Sequence, residues 1–435
     1  MSAWRDIGAR SRHLGVIPAG TILLAASSYA FLVLAARVLG PERYASFAVV
    51  WALVFFVGPG VFTPVEQQAA RSVASARAAS GRLRRQVVRA AQRSAALVAL
   101  LLLALVATRG VLARELELDD ALLAGLAASL LGLSVAHPLR GVLAGLGRLP
   151  AYGYGLGLEG MLRLTGGVAL TLSGTRSAAL FGALAGMPAG LGAALGALRR
   201  RPAGDRAATS EALAVEAVPE DAGNEGVGGL VALVVAALCG QLLINVAPVV
   251  VAALASPAER SAAGQLLAGL LVARVPLLAI ATVQTVVLPR LVAQHAEGRS
   301  AQVARTLRTV AAACVALAVV GAVVGAAVGP FVMGLAFGPA FALTSLDLVL
   351  LIVSVCAYLA ATLLGLGLVA AHRGAALAWS WVAGVTVAVL VLAAVPGLVL
   401  RVELALLAGC CTSAVLVASR TLGRPGPPSR EGEDG

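Results

Sequence analysis

Long apolar stretches recur along the whole chain and are separated by short segments rich in arginine. Hydrophobic residues make up 60% of the 435 residues, charged residues make up only 12%, and the mean hydropathy is +0.93. A soluble domain does not carry so apolar a composition, whereas about 20 apolar residues suffice for a helix to cross a bilayer. The composition therefore predicts an all-α, polytopic membrane protein.

A window of that length predicts about twelve transmembrane helices. Their approximate bounds are 14–36, 45–64, 94–113, 119–138, 151–173, 178–198, 227–254, 262–288, 307–329, 342–369, 374–397 and 402–419.

The distribution of arginine supports this count. If the N-terminus is cytoplasmic, 24 of the 33 basic residues fall in inner segments and 7 in outer ones. Basic residues are retained on the cytoplasmic side of membranes, so we expect both termini there, in a bacterial inner membrane. The net charge of +12 then indicates contact with anionic membrane lipid and no nucleic-acid partner.

The domain organisation follows from one long polar segment. Residues 199–226 lack apolar periodicity and predict a flexible cytoplasmic linker. They separate an N-terminal six-helix bundle over 1–198 from a C-terminal six-helix bundle over 227–420, and 421–435 predict a disordered cytoplasmic tail.

The two halves share sequence. Gln86-Val87-Val88-Arg89 returns as Gln302-Val303-Ala304-Arg305, and Pro59 aligns with Pro276 at the offset that aligns Glu42 with Glu259. An even number of spans in each copy predicts two parallel repeats related by an axis along the membrane normal, as in many transporters.

Three charged residues fall well inside predicted spans. Arg163 and Arg274 each lie about twelve residues into their spans, near mid-membrane at 1.5 Å per residue, where a charge is costly and indicates function. One hypothesis is that both bind an anionic group through forked hydrogen bonds. The alternative is that Glu159, four residues before Arg163, neutralises it, and that carbonyls freed near Pro276 satisfy Arg274.

Prolines inside spans predict bends. Pro59, Pro248 and Pro276 each remove a backbone donor and kink their helix. They are candidate hinges for alternating access, and static kinks that shape packing are the alternative.

Other polar side chains complete the candidate set. Gln241, Asn245 and Gln284 are candidates for substrate binding, with interhelical hydrogen bonding as the alternative. Asp347 and Glu66 are candidates for ion or proton coupling, with solvation near an interface as the alternative.

The sequence carries no enzyme or cofactor motif that we recognise. It has no Walker A sequence, no His-Glu-x-x-His and no Gly-x-Ser-x-Gly in a suitable context. The five cysteines lie in apolar segments without metal-ligand spacing. We therefore expect no catalysis, no cofactor and no metal.

Four motifs resemble one family. Arg37-Val38-Leu39-Gly40-Pro41-Glu42-Arg43-Tyr44 resembles the Arg-x-Leu-Gly-x-x-x-Tyr signature of the polysaccharide-unit (Wzx-type) flippases of the MATE-like, or MOP, exporter superfamily. The other stretches are Arg140-Gly141 to Tyr152, Ala273-Arg274-Val275-Pro276 to Arg290, and Phe337-Gly338-Pro339.

That resemblance implies a twelve-helix MATE-like exporter that flips a lipid-linked saccharide from the inner to the outer leaflet. It implies that Arg163 and Arg274 bind the pyrophosphate head group, with glycosyltransferases or a polymerase of the same pathway as partners. A cation-coupled multidrug exporter, and a membrane enzyme or scaffold of envelope polysaccharide assembly, are the alternatives.

Overall fold

The computed structural model describes residues 2–78, 83–198 and 227–422, and within them helices dominate and no strand occurs. The helices are α1 (Ser2–Val57), α2 (Thr63–Ala78), α3 (Leu83–Glu115), α4 (Asp120–Gly145), α5 (Leu149–Leu172), α6 (Ala178–Ala183), α7 (Met187–Leu198), α8 (Val227–Asn245), α9 (Ala247–Leu254), α10 (Arg260–Ala273), α11 (Ile280–Ala296), α12 (Ser300–Phe337), α13 (Ser345–Ala370), α14 (Gly374–Ala394) and α15 (Leu398–Leu422).

Each predicted span falls on a helix or on a pair of helices separated by a break. By length and hydropathy alone, 8 helices of the described chain can cross a membrane, or 9 if α8 and α9 form one bent span. The other predicted spans are the second one on α1, the more polar α5, and the interrupted pair α10 and α11. The predicted linker and tail lie outside the described residues.

Helix α1 holds two antiparallel arms. Gly40 has φ 73° and ψ 170°, a conformation that glycine adopts at low cost. The ring of Phe31 lies 6.0 Å from the rings of both Phe47 and Trp51, which a straight helix rising 1.5 Å per residue would hold far apart. The chain therefore reverses at Gly40, and the two arms of α1 coincide with the first two predicted spans.

The first arm of α1 packs closely on α5 through glycine. A Cβ atom added at Gly153 would lie 2.6 Å from the carbonyl oxygen of Val16, and one at Gly157 would lie 3.2 Å from Leu23. Small residues let membrane helices approach backbone to backbone. This contact fixes α5, which carries Glu159 and Arg163, against α1.

All three candidate hinge prolines lie where a helix is irregular. Pro59 lies in a π-helical turn, Gly58–Phe62, between α1 and α2. Pro248 lies in the first turn of α9, beyond a 54° bend from α8. Pro276 lies in a 3-10 turn, Val275–Ala279, between α10 and α11. A bend is thus measured at Pro248, irregular helix is present at Pro59 and Pro276, and the hinge role of all three stays a prediction.

Carbonyls that precede a proline by four residues find side-chain partners. In a regular helix such a carbonyl would accept from the N–H that proline lacks. Six of them accept from a side chain elsewhere in the described chain. The acceptors and donors are Ser134 with Ser94 (before Pro138), Leu146 with Arg77 (before Pro150), Leu184 with Arg163 (before Pro188), Ile244 with Arg274 (before Pro248), Ala326 with Ser345 (before Pro330) and Leu335 with Arg37 (before Pro339).

The described helices pack into two compact units. The first comprises residues up to 198 with Asn245–Ala268 and Val332–Ala342, and the second comprises 227–244, 269–331 and 343–422. The packing units are thus discontinuous in sequence, and the predicted bundle boundaries stay a prediction.

Candidate functional site

The first unit contains a buried ionic network built on Glu159. Its Oε1 accepts from Nη2 of Arg163 at 2.6 Å, and its Oε2 accepts from Nη2 of Arg140. Arg163 is 1% exposed, and Glu159 and Arg140 are nearly as buried. The predicted pairing of Glu159 with Arg163 is therefore confirmed, and a second guanidinium shares the carboxylate.

Arg163 also binds the irregular turn between α6 and α7. Its Nε donates to the carbonyl of Leu184 at 3.2 Å, and its Nη2 donates to the carbonyl of Ala185 at 2.8 Å. Nη1 donates to the hydroxyl of Ser28 at 2.7 Å. Most donors of this guanidinium are thereby used within the protein, so its contacts favour the structural alternative over anion binding.

A second cluster adjoins this network. Glu66 on α2 accepts from the hydroxyl of Tyr152 at 2.9 Å and lies 2.7 Å from Nδ1 of His137. Arg140 is within electrostatic range of both Glu66 and Tyr152. Through these contacts Glu66 joins α2, α4 and α5, and its coupling role stays a prediction.

The second unit places Arg274 between a helix end and a break. Arg274 follows the last residue of α10, precedes the 3-10 turn and is half-buried. Its Nη2 donates to the carbonyl of Ile244, which lacks a helical partner because Pro248 has no N–H. The acceptor of this bond belongs to α8, whereas the structural alternative for Arg274 named carbonyls near Pro276.

A tyrosine lies near this arginine. Tyr358 on α13 lies within electrostatic range of Arg274, and its ring lies 5.4 Å from the ring of Trp381 on α14. Both aromatic residues are buried. The surroundings of the guanidinium thus include the phenol of Tyr358, which has a polar and an apolar side and suits a sugar ring or a flat cation.

The remaining candidates differ in what they contact. Gln241 and Asn245 lie half-buried on α8, and Gln284 lies half-buried on α11. Asp347 caps α13, because its Oδ2 accepts from the backbone N–H of Thr344 at 2.9 Å. That contact gives Asp347 a structural role, while its coupling role stays a prediction.

Two buried charges were not predicted. The fourth predicted span ends at 138 and so places Arg140 in a cytoplasmic loop, but α4 continues to Gly145. Glu403 on α15 is 0% exposed, and neither of its carboxylate oxygens has a hydrogen-bond partner among the described residues. Glu403 lies one residue inside the twelfth predicted span, and a charge there could have marked it as a candidate. The nearby Arg401, just outside that span, makes Glu403 look like part of a charged loop.

No cluster of metal-ligating side chains occurs in the part of the chain that the structure describes.

The comparison with known proteins bears on the fold. No protein-family model matches the sequence, and no curated protein matches it. Solved structures do match. A multidrug resistance MATE family transporter of the MOP superfamily, in an inward-facing conformation, aligns with a TM-score of 0.64 at 14% identity, over 90% of this chain and 92% of the other. The chain has the MATE fold.

Two further structures agree. A eukaryotic MATE transporter aligns with a TM-score of 0.57 at 15% identity, over 96% of each chain. A variant of the Vibrio cholerae MATE transporter VcmN aligns with a TM-score of 0.57 at 13% identity, over 95% of each chain. The predicted fold class, an all-helical multi-pass membrane protein with a MATE-like fold, is therefore confirmed.

Proposed function

We propose that the protein is a bacterial inner-membrane transporter that moves a lipid-linked saccharide from the inner to the outer leaflet by alternating access. The observation that carries this proposal is the position of Arg274 beside two broken helices. Its guanidinium lies at the 3-10 turn after α10 and binds the carbonyl of Ile244 at the end of α8.

Broken helices inside a membrane protein support a binding site. Irregular backbone is tolerated at membrane depth only where protein buries it or where it lines an aqueous cavity. Transporters bind substrate at such breaks. Arginine suits the pyrophosphate of a lipid-linked sugar, because its planar donors match phosphate oxygens in pairs. Arg274 already lies in this setting, whereas Arg163 is held by Glu159.

The helix irregularities also support movement. Pro59, Pro248 and Pro276 lie at a π-turn, a 54° bend and a 3-10 turn. Such positions absorb backbone changes with little loss of regular hydrogen bonding. Glu66 is the better-supported coupling residue, because Nδ1 of His137 lies 2.7 Å from its carboxylate.

Export of a cationic drug is the second candidate function. The carboxylate of Glu403, which has no hydrogen-bond partner in the described chain, favours a cation, since a buried carboxylate is stabilised by a positive ligand. One of the matched structures is a multidrug resistance transporter. The scarcity of aromatic residues, 4% of the chain, argues against broad recognition of flat cations.

A reconstituted assay separates the two functions. Purified protein in liposomes would be offered a fluorescent lipid-linked saccharide in one set and a cationic dye in another. We expect saccharide flipping in the wild type and at least about a ten-fold loss in Arg274→Ala, from one charged contact. Arg109→Ala, an exposed pair with Asp120, is the control and should flip normally.

Two results would contradict the proposal. Flipping by Arg274→Ala at the wild-type rate, with normal insertion, would remove the arginine from the site. Dye export without saccharide flipping would favour the drug-exporter alternative.

A further inference from the structure

The second unit contains a cavity of about 690 Å³ where several helices end. The C-terminal ends of α11, α13 and α15 and the N-terminal end of α12 form its walls. The volume lies within the range of about 300–1,000 Å³ that is usual for small-ligand sites. It is separate from Arg274, which does not line it.

Three arginines line this cavity, which we name the guanidinium pocket. Arg308 comes from α12, Arg373 from the turn between α13 and α14, and Arg420 from α15. No aspartate or glutamate is among the described residues that line it. Three like charges around one cavity repel each other unless an anion is present, so the pocket selects for a negative ligand.

Two of these arginines are positioned by the protein. Nη1 of Arg373 donates to the carbonyl of Arg420 at 3.1 Å, and Nη1 of Arg420 donates to the hydroxyl of Ser380 at 2.8 Å. These bonds occupy one edge of each guanidinium and leave other N–H groups for a ligand. The side chain of Arg308 donates no hydrogen bond to another described residue, so its donors can face a ligand.

Neutral donors and apolar walls complete the pocket. Ser300 begins α12 at the rim, where the helix dipole favours an anion, and Thr421 contributes a hydroxyl. Leu307, Leu368 and Leu422 supply apolar surface. Tetrahedral oxyanions match convergent guanidinium and hydroxyl donors, and the ends of spanning helices lie at the depth of lipid head groups.

We propose that the guanidinium pocket binds a phosphate group through Arg308, Arg373 and Arg420. A phospholipid head group and a free phosphate both present this chemistry. A basic pocket between helix ends on the cytoplasmic side of a membrane suits an anionic lipid. The proposal does not depend on the transported substrate, since none of these residues belongs to the site around Arg274.

The experiment measures ligand binding to the delipidated, purified full-length chain by native mass spectrometry and by thermal shift. The probes are phosphatidylglycerol, the matched diacylglycerol without phosphate, and inorganic phosphate. We expect binding of at least one phosphate-bearing probe and none of diacylglycerol. In Arg308→Gln we expect affinity at least about ten-fold weaker, because a charged hydrogen bond is lost.

A matched variant controls for surface charge. The triple variant Arg93→Gln, Arg109→Gln and Arg114→Gln removes three exposed charges from α3, the counterpart of α12 in the sequence repeat, and should bind as the wild type does. Arg308→Gln removes no hydrogen bond within the described chain, so a folding defect is not expected.

Each outcome of the binding measurements either assigns a ligand to the guanidinium pocket or overturns the proposal. Binding of phosphatidylglycerol alone assigns the pocket to lipid, binding of inorganic phosphate alone assigns it to a soluble ligand, and binding of both assigns it to the shared group. Equal binding of diacylglycerol and phosphatidylglycerol, or an equal loss in Arg308→Gln and the α3 triple variant, would overturn the proposal.

Discussion

Two helix breaks in this molecule share one feature, a proline-freed carbonyl that accepts from an arginine, but the two arginines differ in burial and in ionic pairing. Pro188 frees the carbonyl of Leu184, and Arg163 donates to it. Pro248 frees the carbonyl of Ile244, and Arg274 donates to it. Arg163 is also paired with Glu159 and is 1% exposed, whereas Arg274 is half-buried. The same backbone chemistry therefore gives a closed structural link in one unit and a more accessible cation in the other.

The comparison teaches how to interpret a charge at membrane depth. A buried arginine is a candidate binding residue, but the decisive evidence is how many of its donors the protein already uses. Arg163 uses donors on all three nitrogens toward Ser28, Glu159 and two carbonyls. These contacts account for a buried positive charge at this position without any ligand.

The largest expected effect comes from removing each arginine in turn. Arg163→Ala leaves Glu159 with one partner and two carbonyls without theirs, so we expect a loss of about 3–5 kcal/mol in the free energy of unfolding. Arg274→Ala should cost about 1–3 kcal/mol. Thermal unfolding of detergent-solubilised protein measures both, with Arg109→Ala as a control. Equal losses in the two variants would remove the distinction between the breaks.

Two buried carboxylates extend the comparison. Glu159 accepts from two guanidiniums, whereas Glu403 has no hydrogen-bond partner for either oxygen within the described ranges. Glu159→Gln weakens charged hydrogen bonds and should cost about 1.5–3 kcal/mol. Glu403→Gln loses no such partner, so stability should change little.

The same thermal measurement checks this pair. Both substitutions preserve side-chain shape, so each acts as the other's control. A larger loss in Glu403→Gln than in Glu159→Gln would mean that Glu403 has an ionic partner in the functional protein.

Sequence reasoning predicted the fold better than the site. Apolar length and arginine asymmetry predict the helices, because membrane insertion depends on those quantities. The network around Glu159 depends on which helix faces pack against each other, and hydropathy does not predict those contacts. Arg140 shows the difference, since two extra turns of α4 move it from an expected loop into the protein interior.

The proline rule is a part of the site that the sequence did contain. A proline at position i frees the carbonyl at i−4, so the positions of Pro188 and Pro248 alone identify Leu184 and Ile244 as acceptors. The donor could not be predicted, because Arg163 and Arg274 are distant in sequence from these carbonyls. For Arg274 the sequence suggests carbonyls near Pro276, whereas the acceptor in the structure, the carbonyl of Ile244, precedes Pro248.

The smallest expected effect tests the link between Pro248 and Arg274 directly. In Pro248→Ala the new N–H can bond the carbonyl of Ile244 and competes with the guanidinium of Arg274 for this acceptor. The free energy of unfolding should change little in Pro248→Ala, because one hydrogen bond replaces another. Arg274→Ala should then destabilise the Pro248→Ala variant less than it destabilises the wild type. A double-mutant cycle on thermal unfolding should give a coupling of about 1 kcal/mol between the two positions. Additive effects would mean that the freed carbonyl does not hold Arg274. A third outcome is a large coupling energy together with loss of saccharide flipping in the single variant Pro248→Ala. That outcome would mean that transport needs the bend at Pro248, because the bend positions the guanidinium of Arg274.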